Sequence, residues 1–433
     1  MLVSVPTPPR ELLDLCAGIH LDGLPLPPLV RQPQVAARLG RLRQEAPDLF
    51  HVEEVGRSVE GRPLQLVRFG QGPRHLLLWS QMHGDEPTAT TALLYLLEYV
   101  RRHREEPRVA RLLSSLTVHA LPLLNPDGAE RFQRRNAQGI DINRDALALQ
   151  TPEGRTLKAL RDRLQPMLGF NLHNQNWRTA VGETRQPASI SLLAPPFDAA
   201  RNDNPGRVLA KKVCAVIHEA LEPLIPGRMG RYDDSFETRA FGDNLGRWGT
   251  PTVLIESGPW PSAEPDLPLV QMNFVALVSA LESLADGSVE RADPARYASI
   301  PLNWGQGFLH LLIRGAQVHG EAGDAFVADV GVAALQVVRS GAEGPRAVVT
   351  GTVEELGDLR VFGAQEIIDA AGLLVVPLPS EGVKEGDLLP PPPREARTLR
   401  LGQPAELMLL RPVEGPGAGA GTWRVERVIR YAR

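Results

Sequence analysis

Between about residues 50 and 285 the chain alternates short apolar runs with longer stretches of helical periodicity, and no other feature limits its fold as much. The strand candidates are LQLVRF, HLLLWS, LTVHALPLL, MLGFNLH, ISLLAP and PTVLIES; helical patterns fall at 87 to 103, about 155 to 166, 205 to 224 and 268 to 285. Strands interleaved with helices build an α/β domain on a parallel or mixed sheet whose faces the helices cover. Residues 1 to 48 read as an N-terminal arm, Pro-rich and then helical in PQVAARLGRLRQEA, packed on a main domain at 49 to 288. From 295 to 433 the texture changes to β runs with glycine turns, such as FLHLLIRGAQVHG, RAVVTGTV and WRVERVIRYA. That is a smaller β-rich accessory domain.

The charge balance, 47 basic against 51 acidic residues, gives -4 at pH 7, so no nucleic-acid partner is expected. The first residues, MLVSVPTPPRELLDLC, lack the basic and then apolar order of a secretory signal, and no segment reads as a membrane span, so no membrane partner is expected. Two cysteines, Cys16 and Cys214, make no disulfide framework and have no CxxC spacing. The expectation is a cytoplasmic protein in which both thiols act as small buried hydrophobes.

Polar groups gather where the strands end. HLLLWS runs into His83-x-x-Glu86, with Pro87 expected at the first position of the next helix. LTVHALPLL runs into NPDG with Asn125 and Asp127, MLGFNLH ends on His173, and PTVLIES carries Glu256. Ligands of open α/β sheets collect beyond the carboxyl ends of strands. Taken alone, H-x-x-E is equally a solvated loop pair. With His173 it becomes a His₂Glu set, which with an open fourth position suits catalytic zinc. Glu256 is then the candidate proton acceptor.

These pieces, in this order, resemble the zinc carboxypeptidase family of the M14 type. The residues that carry the resemblance are His83-Gly-Asp-Glu86, NPDG at 125 to 128, RRNAQGIDINRD at 134 to 145, FNLHNQ around His173 and TVLIESG around Glu256, over about residues 50 to 285. It implies a zinc carboxypeptidase-like mixed sheet flanked by helices, with the smaller β-rich domain following. It also implies one zinc per chain on His83, Glu86 and His173, zinc-activated water as nucleophile and Glu256 as general base and acid. Asn143 and Arg144 would grip the terminal carboxylate of a peptide or peptide-like substrate, since a guanidinium fork meets a carboxylate with two hydrogen bonds. Arg134 would steady the oxyanion, with Arg135 as its rival.

The chain departs from the family's digestive members in three ways. Asn-Arg is followed by Asp145 rather than Asn, so the pocket beside the grip is altered or Asp145 orients Arg144. The mobile tyrosine of those members has only Tyr232 as a loose counterpart, 24 positions before Glu256. No secretory segment or pro-segment is recognised. Around Tyr232, the acids of YDDSFE argue for a cationic substrate and Arg239 for an acidic one, so side-chain preference is not readable. The tail, with AQEIIDAAGLLVVP at 364 to 377, resembles the non-catalytic β domain of amidohydrolases without its metal-binding His-x-His. His310 and His319 are read as ordinary strand or turn residues. Dimer contact through this domain, substrate gating and plain stabilisation are the roles considered for it. Two other readings stand beside the peptidase: an N-acyl amino acid deacylase of the aspartoacylase and succinylglutamate desuccinylase type, and a metal-containing binding protein without turnover.

Overall fold

The computed structural model describes residues 7–25, 27, 29–262, 266–321, 323–341, 344–380, 382–413 and 421–431. The chain forms two compact units, Met1–Asn176 with Ala188–Asn303, and Trp177–Pro187 with Trp304–Arg433.

The first unit is built on an eight-stranded sheet. Its strands are β1 (His51–Arg57), β2 (Pro63–Phe69), β3 (Arg74–Ser80), β4 (Leu116–Leu121), β5 (Leu168–Asn174), β6 (Ile190–Leu193), β7 (Met229–Arg231) and β8 (Thr252–Ser257). Their spatial order is β1-β2-β4-β3-β5-β8-β6-β7. The central four, β4-β3-β5-β8, are parallel, while β1, β2 and β6 join antiparallel. Leu76–Trp79 and Leu168–Leu172 are buried without alternation, as parallel strands covered on both faces require.

Ten α-helices pack in this unit among the described residues: α1 (Pro9–Ala17), α2 (Gln32–Glu45), α3 (Thr88–Arg102), α4 (Pro107–Ser115), α5 (Pro126–Arg131), α6 (Pro152–Leu164), α7 (Pro205–Leu221), α8 (Phe241–Arg247), α9 (Asp266–Asp286) and α10 (Pro294–Ser299). Pro87, expected inside α3, stands just before it as the N-cap. Leu12, Cys16, Leu39 and Leu42 of α1 and α2 are fully buried in the core shared with α3 and α9, so the arm is part of this unit's interior. Both cysteines are unpaired and buried, and burial pushes the Cys16 thiol up to about 12.

Two boundaries differ from the sequence expectation. The first unit continues past 288, because α10 buries Tyr297 and Ile300 in its core and the Tyr297 hydroxyl accepts from Ala194 N at 3.1 Å. Residues 177–187 belong with the β-rich unit, where Phe308 N donates to Arg178 O at 2.9 Å. The expectation that no segment reads as a membrane span is also corrected. Among the described residues α9 is long and apolar enough by composition, with 78% of its apolar window buried. It packs against α1, α3, α4 and α7, which accounts for an all-round apolar helix.

The second unit carries another eight-stranded sheet. Its strands are β9 (Phe308–His319), β10 (Ala325–Gly341), β11 (Gly344–Gly357), β12 (Gly363–Asp369), β13 (Leu374–Pro377), β14 (Leu388–Leu389), β15 (Leu407–Pro412) and β16 (Trp423–Ile429). Its own core gathers Leu311, Ile313, Val330, Val332, Val353, Leu407 and Leu409. His310 bonds the Tyr431 hydroxyl at 2.8 Å and His319 faces Gly323 O at 3.3 Å, both local contacts of the sheet.

Candidate active site

The four parallel strands end on one edge of the sheet, and there the chain leaves β3 through a sharp turn. Gln81 takes a left-handed backbone (φ 50°), unusual for a residue with a side chain, and is held there from both ends of its amide. Its Nε2 donates to Gly84 O at 2.9 Å and its Oε1 accepts from the Thr90 hydroxyl at 2.9 Å. The loop then lies on the NPDG turn so closely that a Cβ on Gly84 would stand 2.0 Å from the Gly128 carbonyl carbon. Only glycine fits this approach, and it brings His83 and Glu86 to the strand edge.

Asn125 and Asp127 build the platform rather than the chemistry. Asn125 Oδ1 accepts from Gly128 N at 2.9 Å, and its Nδ2 donates to Met82 O and Arg134 O at 3.2 and 3.3 Å. Asp127, fully buried, accepts from the Ser58 hydroxyl, Glu60 N and Arg62 at 2.8, 3.0 and 2.6 Å.

His83, Glu86 and His173 converge. Glu86 Oε1 lies 2.8 Å from His83 Nδ1, Glu86 Oε2 lies 2.7 Å from His173 Nδ1, and the two Nδ1 atoms are 3.1 Å apart. All three residues are buried, and they are a group that could hold a metal ion. Ligand atoms of a tetrahedral zinc stand about 3.3 Å apart at ordinary bond lengths, and the two Nδ1 atoms, 3.1 Å apart with a Glu86 oxygen beside each, are spaced close to that. The donor chemistry fits as well. His83 Nε2 lies 3.1 Å from Asp141 Oδ1, and donating its proton there leaves the Nδ1 lone pair for a cation. Asn174 N donates to Glu86 Oε2 at 3.2 Å and fixes the carboxylate from behind.

The charges in the triangle are strongly coupled. Burial disfavours the His83 imidazolium, but Glu86 and Asp141 outweigh it and push His83 up to about 9. Burial would likewise raise Glu86, yet both imidazoles hold it well below the usual carboxylate range. His173 is pushed down, chiefly by burial.

Glu256 is the register neighbour of His173 across β5 and β8, so both arrive at the same level of the sheet. Its Oε2 is shielded from solvent and has no hydrogen-bond partner among the described residues. Burial, with the Glu86 charge behind it, pushes its carboxyl well above the usual range. Tyr232 follows β7, where its N–H donates to Leu192 O at 3.1 Å. Burial raises its phenol, and the Glu256 and Glu86 charges raise it further.

Of the two rival arginines, Arg134 reaches the triangle. Its Nε donates to Asp141 Oδ2 at 3.0 Å and its Nη1 stands 3.1 Å from His83 Nδ1 and 3.3 Å from Glu86 Oε1. Arg135 is turned away, donating to Gly139 O at 3.1 Å on the exposed side, so its expectation as a site residue is corrected. Asn143 and Arg144 lie on a short 3-10 turn, Ile142–Arg144, capped by Asp141 Oδ1 through Asn143 N at 2.9 Å. Arg144 Nη1 donates to Asn143 O at 2.8 Å, and its side chain is 36% exposed, open enough to receive a ligand. Asp145 does not orient Arg144. It accepts from Gln150 N, Thr151 N and the Thr151 hydroxyl at 2.8, 2.8 and 2.7 Å and secures the start of α6.

Sequence reasoning missed Asp141, which links the His83 ring, Arg134 and the 143–144 turn. Its only signal was an acid two positions before Asn143, which reads equally well as a turn cap.

Residues 35–189 match the family model described as Zinc carboxypeptidase, Peptidase_M14. The chain is 30% identical over 207 residues to Carboxypeptidase E of Caenorhabditis elegans, which covers 40% of this chain and 44% of that one. It is 31% identical over 131 residues to Carboxypeptidase M of Mus musculus, covering 26% and 30%. The chain therefore spans less than half the length of these curated relatives. A solved metallo-carboxypeptidase from Burkholderia cenocepacia is similar with a TM-score of 0.47 and 20% identity, over 59% of this chain and 69% of that one.

Proposed function

We propose that this chain is a zinc-dependent metallocarboxypeptidase, hydrolysing the C-terminal peptide or peptide-like amide bond of a substrate with a free carboxylate. The observation that carries the reading is the meeting, at one edge of one sheet, of a His₂Glu triangle, the Glu256 carboxyl beside it, whose shielded Oε2 has no partner among the described residues, and two arginines. The family model matched at 35–189 includes the triangle and both arginines, and agrees with it.

His83, Glu86 and His173 hold the zinc, which when bound supplies Lewis acidity toward a carbonyl oxygen and toward water. Asp141 keeps the His83 ring in the tautomer that leaves Nδ1 for the metal. Glu256 takes the proton of the attacking water as the carbon–oxygen bond forms. It passes that proton to the leaving nitrogen as the carbon–nitrogen bond breaks, and its raised affinity for a proton suits both steps. Arg134 donates to the carbonyl oxygen as negative charge develops there. Arg144 receives the terminal carboxylate, with Asn143 beside it; Tyr232 closes on the substrate from the end of β7. In the same reading the β-rich unit, residues 304–433 with 177–187, is an accessory domain that contributes no chemistry.

Glu256→Gln tests the assignment, because it keeps shape and removes the proton acceptor. Turnover of blocked dipeptides should fall by at least about a hundredfold, with zinc content and circular dichroism unchanged; an active variant contradicts the role. Comparing blocked dipeptides with N-acyl amino acids separates the peptidase from the deacylase.

A further inference from the structure

The segment after β7 brings an acid to the arginine that receives the carboxylate. Glu237 Oε2 lies 3.5 Å from Arg144 Nε, and both side chains are 36% exposed. Arg144 does not hold Glu237 in place. Glu237 Oε1 accepts from Arg239 N and Arg239 Nε at 3.1 and 3.3 Å, and Glu237 N donates to the buried Asp243 Oδ1 at 3.0 Å. The segment itself is tied to the 143–146 turn, since Phe241 N donates to Asn143 Oδ1 at 2.9 Å and Ala146 N to Arg239 O at 3.1 Å. A carboxylate is thus mounted beside Arg144 by contacts independent of it. Burial works against its charge, but Arg239 and Arg144 outweigh burial and keep it ionised.

We propose that Glu237 is a resident counter-ion to Arg144 that selects against substrates whose last residue has an acidic side chain. The inference rests on the reading above, in which Arg144 receives the terminal carboxylate. Asn143 O occupies one Nη1 proton and Glu237 stands 3.5 Å from Nε, so an incoming carboxylate takes the remaining protons of the same guanidinium in the field of Glu237. Every substrate feels that repulsion once. A last residue with an acidic side chain brings a second anion into the same field, whereas a neutral or cationic one does not. Arg239 answers only part of this charge, because its side chain is 58% exposed and its field is spent in solvent. The opposing hints in YDDSFETR are thereby resolved by position: the acid faces the grip and the base stands outside it.

The test has a binding arm and a turnover arm, using the full-length zinc-loaded protein and Glu237→Gln. In calorimetry, N-acetylleucine and N-acetylglutamate are the carboxylate probes, with Arg144→Ala as the reference for loss of the grip. Glu237→Gln should bind both probes more tightly, N-acetylglutamate by about three- to tenfold more than N-acetylleucine at low salt, and about 1 M salt should shrink that difference. In turnover, the same variant should lower KM for blocked dipeptides ending in glutamate more than for those ending in leucine or lysine. Equal changes for all probes, or weaker binding of both, would overturn the proposal. Carboxylate binding that depends on Arg144 and Glu237 as described, without hydrolysis of any dipeptide, would sustain this inference while overturning the peptidase reading.

Discussion

Asp141 touches three parts of the site at once: His83 Nε2, Arg134 Nε and the backbone of Asn143. His83 and Arg134 outweigh its burial and hold its carboxyl well below the usual range, so it stays an acceptor. A carboxylate behind a metal-binding imidazole is worth about 10- to 100-fold in metal affinity. Asp141→Asn should therefore lower zinc affinity by about that factor, measured by competition with a chelating dye, while Asp145→Asn, which acts on α6, should leave zinc affinity unchanged and lower the melting temperature. The two acids are four positions apart in GIDINRD, and the sequence does not tell their jobs apart, because either is a plausible turn cap. His83, Glu86, His173 and Glu256 were legible for the opposite reason. Each follows or ends an apolar run, where a charged group has no packing role and its position at the strand edge is set by the run itself. Arg134 and Arg135 were adjacent, and only the fold of the loop decides which one turns inward.

At the scale of elements, the parallel strands β3, β4, β5 and β8 were legible as continuous apolar runs, and their shared direction is what collects the site. The same runs hide a pH-sensitive contact away from it. His119 of β4 and His75 of β3 stack with ring centroids 5.4 Å apart, Nδ1 of His75 lying 3.2 Å from Nε2 of His119. Burial, followed by the His75, Arg68 and Arg163 charges, pushes His119 down to about 4. The unfolded chain, with an ordinary histidine near 6.5, therefore takes up this proton first. Stability that is full at neutral pH should be lost as pH falls from about 6.5 to about 4. His119→Phe should flatten that part of the melting curve against pH; an unchanged acid slope would show that other groups govern it. The boundary elements were less legible. Residues 177–187 carry no compositional break, and α10 follows a change of texture near 290, so only packing assigns the first to the β-rich unit and the second to the sheet unit.

For the whole molecule, the chain combines an α/β unit that contains every residue assigned to the chemistry with a β-rich unit that has its own core. A metal held by the native arrangement of β3, β5 and the loop after β3, and not by the unfolded chain, stabilises the fold by mass action, about 2.7 kcal/mol at one hundred times its dissociation constant. Zinc should therefore raise the melting temperature of the wild-type protein, and His83→Ala and His173→Ala should remove that response. The most direct test of the central claim is the release of the last residue by zinc-loaded protein from a blocked dipeptide, measured beside the C-terminal amide of the same peptide. Release from the free acid should run at least about tenfold faster than from the amide, a gap that Arg144→Ala closes. No release from either peptide across a broad set of sequences, with zinc bound, would contradict it.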